Sequence, residues 1–451
     1  MKKRIIATIL TMLMLSASLA ACSGSNDNNT AKNDKSESAQ VVTLNPNATS
    51  ADSSADGEAS ASSSKSDSSS DSDSDAAYTG GYSGGKLDTT DLFSNRDMKQ
   101  EADTSDAQTL TLSDGKDVTI TDEGVYIITG TAANASIIVD AADDAKVQLV
   151  LSGVSITNDS APAIYVKNAD KVFVTTADGS NNTLTVSGTF SADGDTNTDA
   201  VIYSKDDLVF NGKGTLTVSS TDNGISGKDD IKITGGTINI TATADGIEAN
   251  DSIVMADGNI TIDTDKDGLH AENDEDDSVG YIYIGGGSVN VNASSDGIQA
   301  TTVLQIDGGT VTANSSEGLE ATYIQINGGT INVTASDDGI NASNKSSAYS
   351  PTAEFNGGEI NIDMGQGDTD AIDANGDLYI NGGTFNINAQ SPFDYDGICE
   401  YNGGTIYVNG ELTTEITNQM MGGGPGGMGG RGGDMGGNMG GNMGGDPGGM
   451  H

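Results

Sequence analysis

One phrase recurs along this chain: an acidic residue, usually followed by Gly, then an aliphatic residue, with Ala two positions later. The acid falls at Asp245, Asp267, Asp296, Glu317, Asp338, Asp370 and Asp396. A second oxygen-bearing side chain follows three positions on, as Glu248, Gln299, Glu320, Asn341 and Asp373. Carboxylates mixed with amide and backbone oxygens are the ligand set of a hard divalent cation such as Ca²⁺, which takes roughly six to eight oxygens. Two loops add to the set. "DTDKDG" spaces Asp263, Asp265 and Asp267 like the start of an EF-hand loop, though Asp274 stands where that loop carries its last Glu. "DGDTNTD" places Asp193, Asp195, Asn197 and Asp199 at alternate positions. Both loops are expected to curl around an ion, with a solvated acidic loop as the competing reading. The glycines Gly246, Gly268, Gly297, Gly318 and Gly339 are expected to supply positive-φ turns.

Something must position these acids at regular intervals. Gly-Gly or its equivalent returns at 235, 257, 286, 308, 328, 357, 382 and 403, and repeats on the order of 20 to 32 residues are the mark of a solenoid. Within each repeat the apolar residues alternate by two, as in "IKITGGTINITA" and "IQINGGTINVTA". That is strand periodicity, and no amphipathic helical pattern competes with it. The expected fold is all-β: a single-stranded, right-handed parallel β-helix solenoid. Stacking its coils places Ile231, Ile253, Ile282, Leu304, Ile324 and Leu378 in one interior ladder. Ile233, Met255, Ile284, Ile306, Ile326 and Ile380 form another. Stacked carboxylates roughly 4.8 Å apart repel by about 3 kcal/mol per neighbouring pair at an effective dielectric near 20. A bound cation would offset that repulsion; counter-ions alone are the alternative.

The flanks have other compositions. Lys2, Lys3 and Arg4 precede an apolar run, and "LAAC" ends at Cys22, so residues 1–21 read as a lipoprotein signal and Cys22 as the lipidated residue. Residues 22–103 are Ser/Asp-rich and read as a disordered linker. The β-helix is assigned to 104–415, and 416–451 is a flexible Gly/Met-rich tail. This organisation places a monomer on the extracellular face of a bacterial membrane, held by its lipid.

The chain carries 66 Asp and Glu against 20 Lys and Arg, a formal net charge of −46, which argues against nucleic acid as a partner. Four tyrosines, Tyr281, Tyr283, Tyr323 and Tyr379, sit at outward strand positions where their rings could stack on sugars. Beyond such features, "SNRDM", "VQLVLSGVSITNDSAPAIYV", the pair "SKDDLVFNGKGTLTV" and "GKDDIKITGGTINI", the recurring DGI phrase and the Gly/Met tail together resemble a known family. This is the bacterial extracellular carbohydrate-binding β-helix lipoproteins, which are similar to family 9 pectate lyases. The resemblance implies calcium and an acidic, polygalacturonate-like polysaccharide as ligands, without established catalysis. Two other readings remain: a calcium-dependent lyase with a base among Lys205, Lys228, Lys232, Lys266 and Lys345, and an inert surface adhesin or spacer.

Overall fold

The computed structural model describes residues 77–78, 85–365 and 369–418. Cys22 and its signal, most of the expected linker, and the tail from residue 419 lie outside the described residues. Among those described there is no helix, and hence none long and apolar enough to cross a membrane. The strands run from Gln108–Thr111 to Glu411–Thr413 and join one sheet, which is parallel except for its last pairing, Thr405–Val408 with Glu411–Thr413.

The repeat unit is three short strands. Asn223–Gly227, Asp230–Ile233 and Thr237–Ala242 pair in register with Ile247–Ala249, Ser252–Met255 and Asn259–Thr264, which pair with the following three in turn. This solenoid-like stack follows from the alternation in sequence. In each strand the inward residue meets its equivalent above and below, so identical aliphatics build continuous ladders. Both expected ladders form, with Ala353 and Phe355 filling the rung before Leu378 and Ile380. A small-residue column, Ala249, Ala271, Ala300, Ala321, Ala342 and Ala374, runs beside them and is fully buried.

Two expectations are corrected. The glycines of the acidic phrase are not the positive-φ positions; that role falls to the second glycine of each Gly-Gly turn, as at Gly309 (φ 81°). Gly268 is required instead by close approach: a Cβ there would stand 2.5 Å from the Gly297 carbonyl oxygen and 2.4 Å from Val291. Nor is the whole of 22–103 a solvated spacer. Leu92 and Phe93 are buried against Val254, Ala256 and Tyr283, and Asp97 is 0% exposed. The "SNRDM" motif is a closed turn in this strap. The Ser94 N–H donates to Asp97 Oδ2 (2.9 Å) and the Asp97 N–H to Ser94 Oγ (3.1 Å). Leu87, Leu92, Phe93 and Met98, scattered through a polar stretch, show no strand or helix period, which is why the strap reads as linker.

Candidate functional site: a carboxylate edge

The recurring acids from Asp245 to Asp370 form a column down one edge of the stack, which Ser391 continues in place of the expected Asp396. Register places Asp296 over Glu317, and a second column beside it aligns Ser226, Glu248, His270, Gln299, Glu320, Asn341, Asp373 and Asp394. Three of these acids, Asp245, Asp267 and Asp338, have a structural task within the first column. The Asp267 N–H donates to Asp245 Oδ1 (3.1 Å), the Asp296 N–H to Asp267 Oδ1 (2.9 Å) and the Asp370 N–H to Asp338 Oδ1 (3.2 Å). At the top of the column Asn223 Oδ1 does the same for the Asp245 N–H, at 2.8 Å. The side chain thus satisfies a backbone donor of the next coil, a task that needs an oxygen but no charge.

The charges converge in two groups. In the first, oxygens of Asp245 and Asp267 lie within 4.8 Å of one another and of His270. His270 Nδ1 is 3.3 Å from Asp245 Oδ2 and 3.7 Å from Asp267 Oδ2, and the Lys266 ammonium is 3.0 Å from Asp245. Burial works to lower the His270 pKa, but the bond to Asp245 and the surrounding carboxylates outweigh it and hold the ring above its ordinary value. This group carries its own cation, Lys266. His270 occupies the second-column position of Glu248 and Gln299, and its place in "DGLHA" was the sequence signal for it.

The second group joins oxygens of Asp296, Glu317 and Glu320 within 4.8 Å. Gln299 Nε2 donates to both Asp296 Oδ2 and Glu320 Oε2, each at 2.7 Å, and Asn341 Nδ2 donates to Glu317 Oε2 at 2.9 Å. A cation, the Lys345 ammonium, is 2.7 Å from Glu320 Oε2. Burial opposes the Glu320 charge, yet Lys345, Gln299 and Ser343 together keep its pKa below the ordinary value. Burial and the neighbouring carboxylates drive Asp296 upward. Burial, reinforced by Glu320, lifts Glu317 to about 7, and burial lifts Asp338 to about 7 and Asp373 to about 6 along the same edge. Three oxygens on this edge are buried without a hydrogen-bond partner: Asp199 Oδ1, Asn341 Oδ1 and Asp394 Oδ1. Carboxylates with raised pKa values beside unpartnered oxygens fit a hard divalent cation.

Other expected ligands are dispersed. Asp263 faces out from Asn259–Thr264 and accepts from Asn292 Nδ2 (3.0 Å), so it and Asp265 join neither group, while Asp267 turns into the edge. In the other loop Asp193 is paired with the Lys167 ammonium at 2.7 Å, Asp195 is exposed, and Asn197 Nδ2 donates to Asp199 Oδ2 at 2.5 Å. Those two loops therefore do not gather their acids into one group. Glu248 accepts from Asn223 and Ser226, both at 3.0 Å, and Asp370 accepts from Ser391 Oγ.

The tyrosines lie on a different face. Tyr283 is 0% exposed beneath Leu92 and Phe93, which corrects its expected role in sugar stacking; Tyr281 packs against the same cluster. Tyr323 and Tyr379 remain half-buried.

Residues 114–368 and 317–397 match the family model described as carbohydrate-binding domain-containing protein. The chain belongs to this family. A carbohydrate-binding domain-containing protein of Acetivibrio thermocellus is 39% identical over 158 residues, 34% of this chain and 54% of that one. The chain thus spans about half the length of this curated relative. The solved structure of a polysaccharide lyase-like protein from C. thermocellum, a gadolinium derivative, aligns over 50% of this chain and 95% of that one, with 32% identity and a TM-score of 0.46.

Proposed function

We propose that this family member is a right-handed, single-stranded parallel β-helix anchored through Cys22 to the extracellular face of a bacterial membrane, where it binds acidic polysaccharide through Ca²⁺. The observation that carries the reading is the Asp296, Glu317 and Glu320 group, whose oxygens lie within 4.8 Å of one another beside the unpartnered Asn341 Oδ1. Asp296, Glu317, Glu320 and Asn341 would hold the ion, with Asp338, Asp370 and Asp373 extending the edge. Bound Ca²⁺ supplies positive charge that a uronate carboxylate can share, reversing the local field of a strongly acidic surface. Asp245 and Asp267 are already matched by His270 and Lys266, so they contribute to the edge without claiming an ion of their own. Lys345 is bonded to Glu320, which supports a structural pair over a free catalytic base and favours binding over lyase chemistry.

Calorimetric titration with Ca²⁺ tests the site. The native chain should take up the ion, and Asp296→Asn with Glu320→Gln should lower affinity by tenfold or more, on the order of 1.4 kcal/mol or above. Equal uptake by the variant would remove this group from the reading.

A further inference from the structure

The strap covers an outward column of the middle strands, and its two halves are held differently. Residues 92–100 are built in. The Lys232 ammonium donates to the Leu92 carbonyl (2.6 Å), and Asp97 is buried and paired with Lys171 (3.3 Å). Gln100 exchanges hydrogen bonds with the Thr234 carbonyl (2.8 Å) and the Gly212 N–H (3.0 Å). Residues 85–88 are held by polar contacts and by one apolar side chain, Leu87, which packs on the cluster around Tyr283 without being buried. The Leu87 N–H donates to Gln305 Oε1 (2.8 Å) and the Lys86 N–H to Gln325 Oε1 (2.7 Å). The Lys86 ammonium sits 4.0 Å above the Tyr323 ring and 4.5 Å from that of Tyr349. Between the halves, Thr89 buries its hydroxyl without a partner, an unfavourable arrangement that lifting the segment would relieve.

The groups under residues 85–88 suit a sugar. Register runs the column from Gln305 through Gln325 and Glu354 to Tyr379, so the covered half continues into a half that the strap leaves open. Pyranose rings present an apolar face to aromatic rings and hydroxyls to carboxamides and carboxylates. The polar groups are held in place: Tyr323 Oη donates to Glu354 Oε2 (2.6 Å), Gln325 Nε2 to the same oxygen (2.8 Å), and Tyr379 Oη to Asp377 Oδ2 (3.1 Å). Glu354, Asp377 and nearby Asp307 would repel a uronate and accept from neutral hydroxyls.

We infer that this column, flanked by Tyr323 and Tyr349, is a second binding site, for a neutral pyranose chain, and that residues 85–88 are a latch a sugar must displace to occupy its full length. The site rests on carbohydrate binding as the family's property but not on the carboxylate edge or on Ca²⁺. A chain entering from Tyr379 reaches Lys86 at Tyr323, and exchanges that cation–π contact for ring stacking.

The full chain is titrated with a β-1,4-linked glucose hexaose in chelator. Lys86→Ala combined with Leu87→Pro removes the cation, one latch N–H and the Leu87 packing, and should tighten binding by about tenfold. Tyr349→Ala should weaken it in both backgrounds. Unchanged or weaker binding in the folded latch variant, or no hexaose binding by either protein, overturns the inference. On the native chain, saturating hexaose should speed hydrogen exchange at the Lys86 and Leu87 amides; unchanged or slower exchange there also overturns it. Polygalacturonate binding with Ca²⁺, measured on the same variants, should not change. Its loss in the native chain would sink the carboxylate-edge reading while leaving the hexaose result standing.

Discussion

The hydrogen bond from the Asp370 N–H uses one oxygen of Asp338, and an amide could accept it equally, as Asn223 does for Asp245. Asp338→Ala should therefore destabilise the ion-free protein by about 1 to 3 kcal/mol, because it strands a buried donor, while Asp338→Asn should not. Urea denaturation in chelator separates them; equal losses would mean the N–H is satisfied elsewhere. The acid at this position was legible in sequence as an unexplained charge. Its backbone role was not, since that depends on which coil lies above. Asp207 offers a test by pH. Burial, then the Asp230 carboxylate, pushes its pKa up to about 6. A carboxyl raised in the folded state contributes fully below its unfolded value near 4 and loses that contribution as pH climbs through about 6. Asp207→Asn should thus be neutral at pH 4 and stabilise by roughly 1 to 3 kcal/mol at pH 8. A pH-independent difference in denaturation midpoint would contradict the assignment.

At the scale of the strand and turn, period-two alternation made the coils readable, because inward residues repeat in type as well as spacing. Which glycine bends the chain was not readable. Both glycine classes sit in turns, and only the three-dimensional stack reveals that Gly268 faces the Gly297 carbonyl. Gly268→Ala should cost roughly 1 to 3 kcal/mol through overpacking, although its backbone conformation suits alanine. Thermal denaturation of the variant checks this, and an unchanged melt would show that neighbouring coils slide apart freely. The two acidic loops show the opposite limit. Alternate acids in sequence resemble a cation loop, but Asp263 lies on the outward face of Asn259–Thr264 while Asp267 lies past the strand's end, in the turn before Leu269–Ala271, so the two part company.

Across the whole molecule, stacking turns a repeated residue into a continuous surface, and two such surfaces result. One is a carboxylate edge carrying more negative charge than its lysines balance. The other is an aromatic and carboxamide column under a strap, which sequence hid because Leu92, Phe93 and Met98 lie in a polar stretch. The central claim is that cations turn the acidic edge into a receptor for acidic polysaccharide. The most direct measurement is binding of polygalacturonate to the full chain with Ca²⁺ and with excess chelator, alongside an Asp296→Asn, Asp338→Asn variant. Binding should require Ca²⁺, weaken with added salt, and fall at least tenfold in the variant while circular dichroism stays unchanged. Equal binding in chelator by a folded chain would contradict the account.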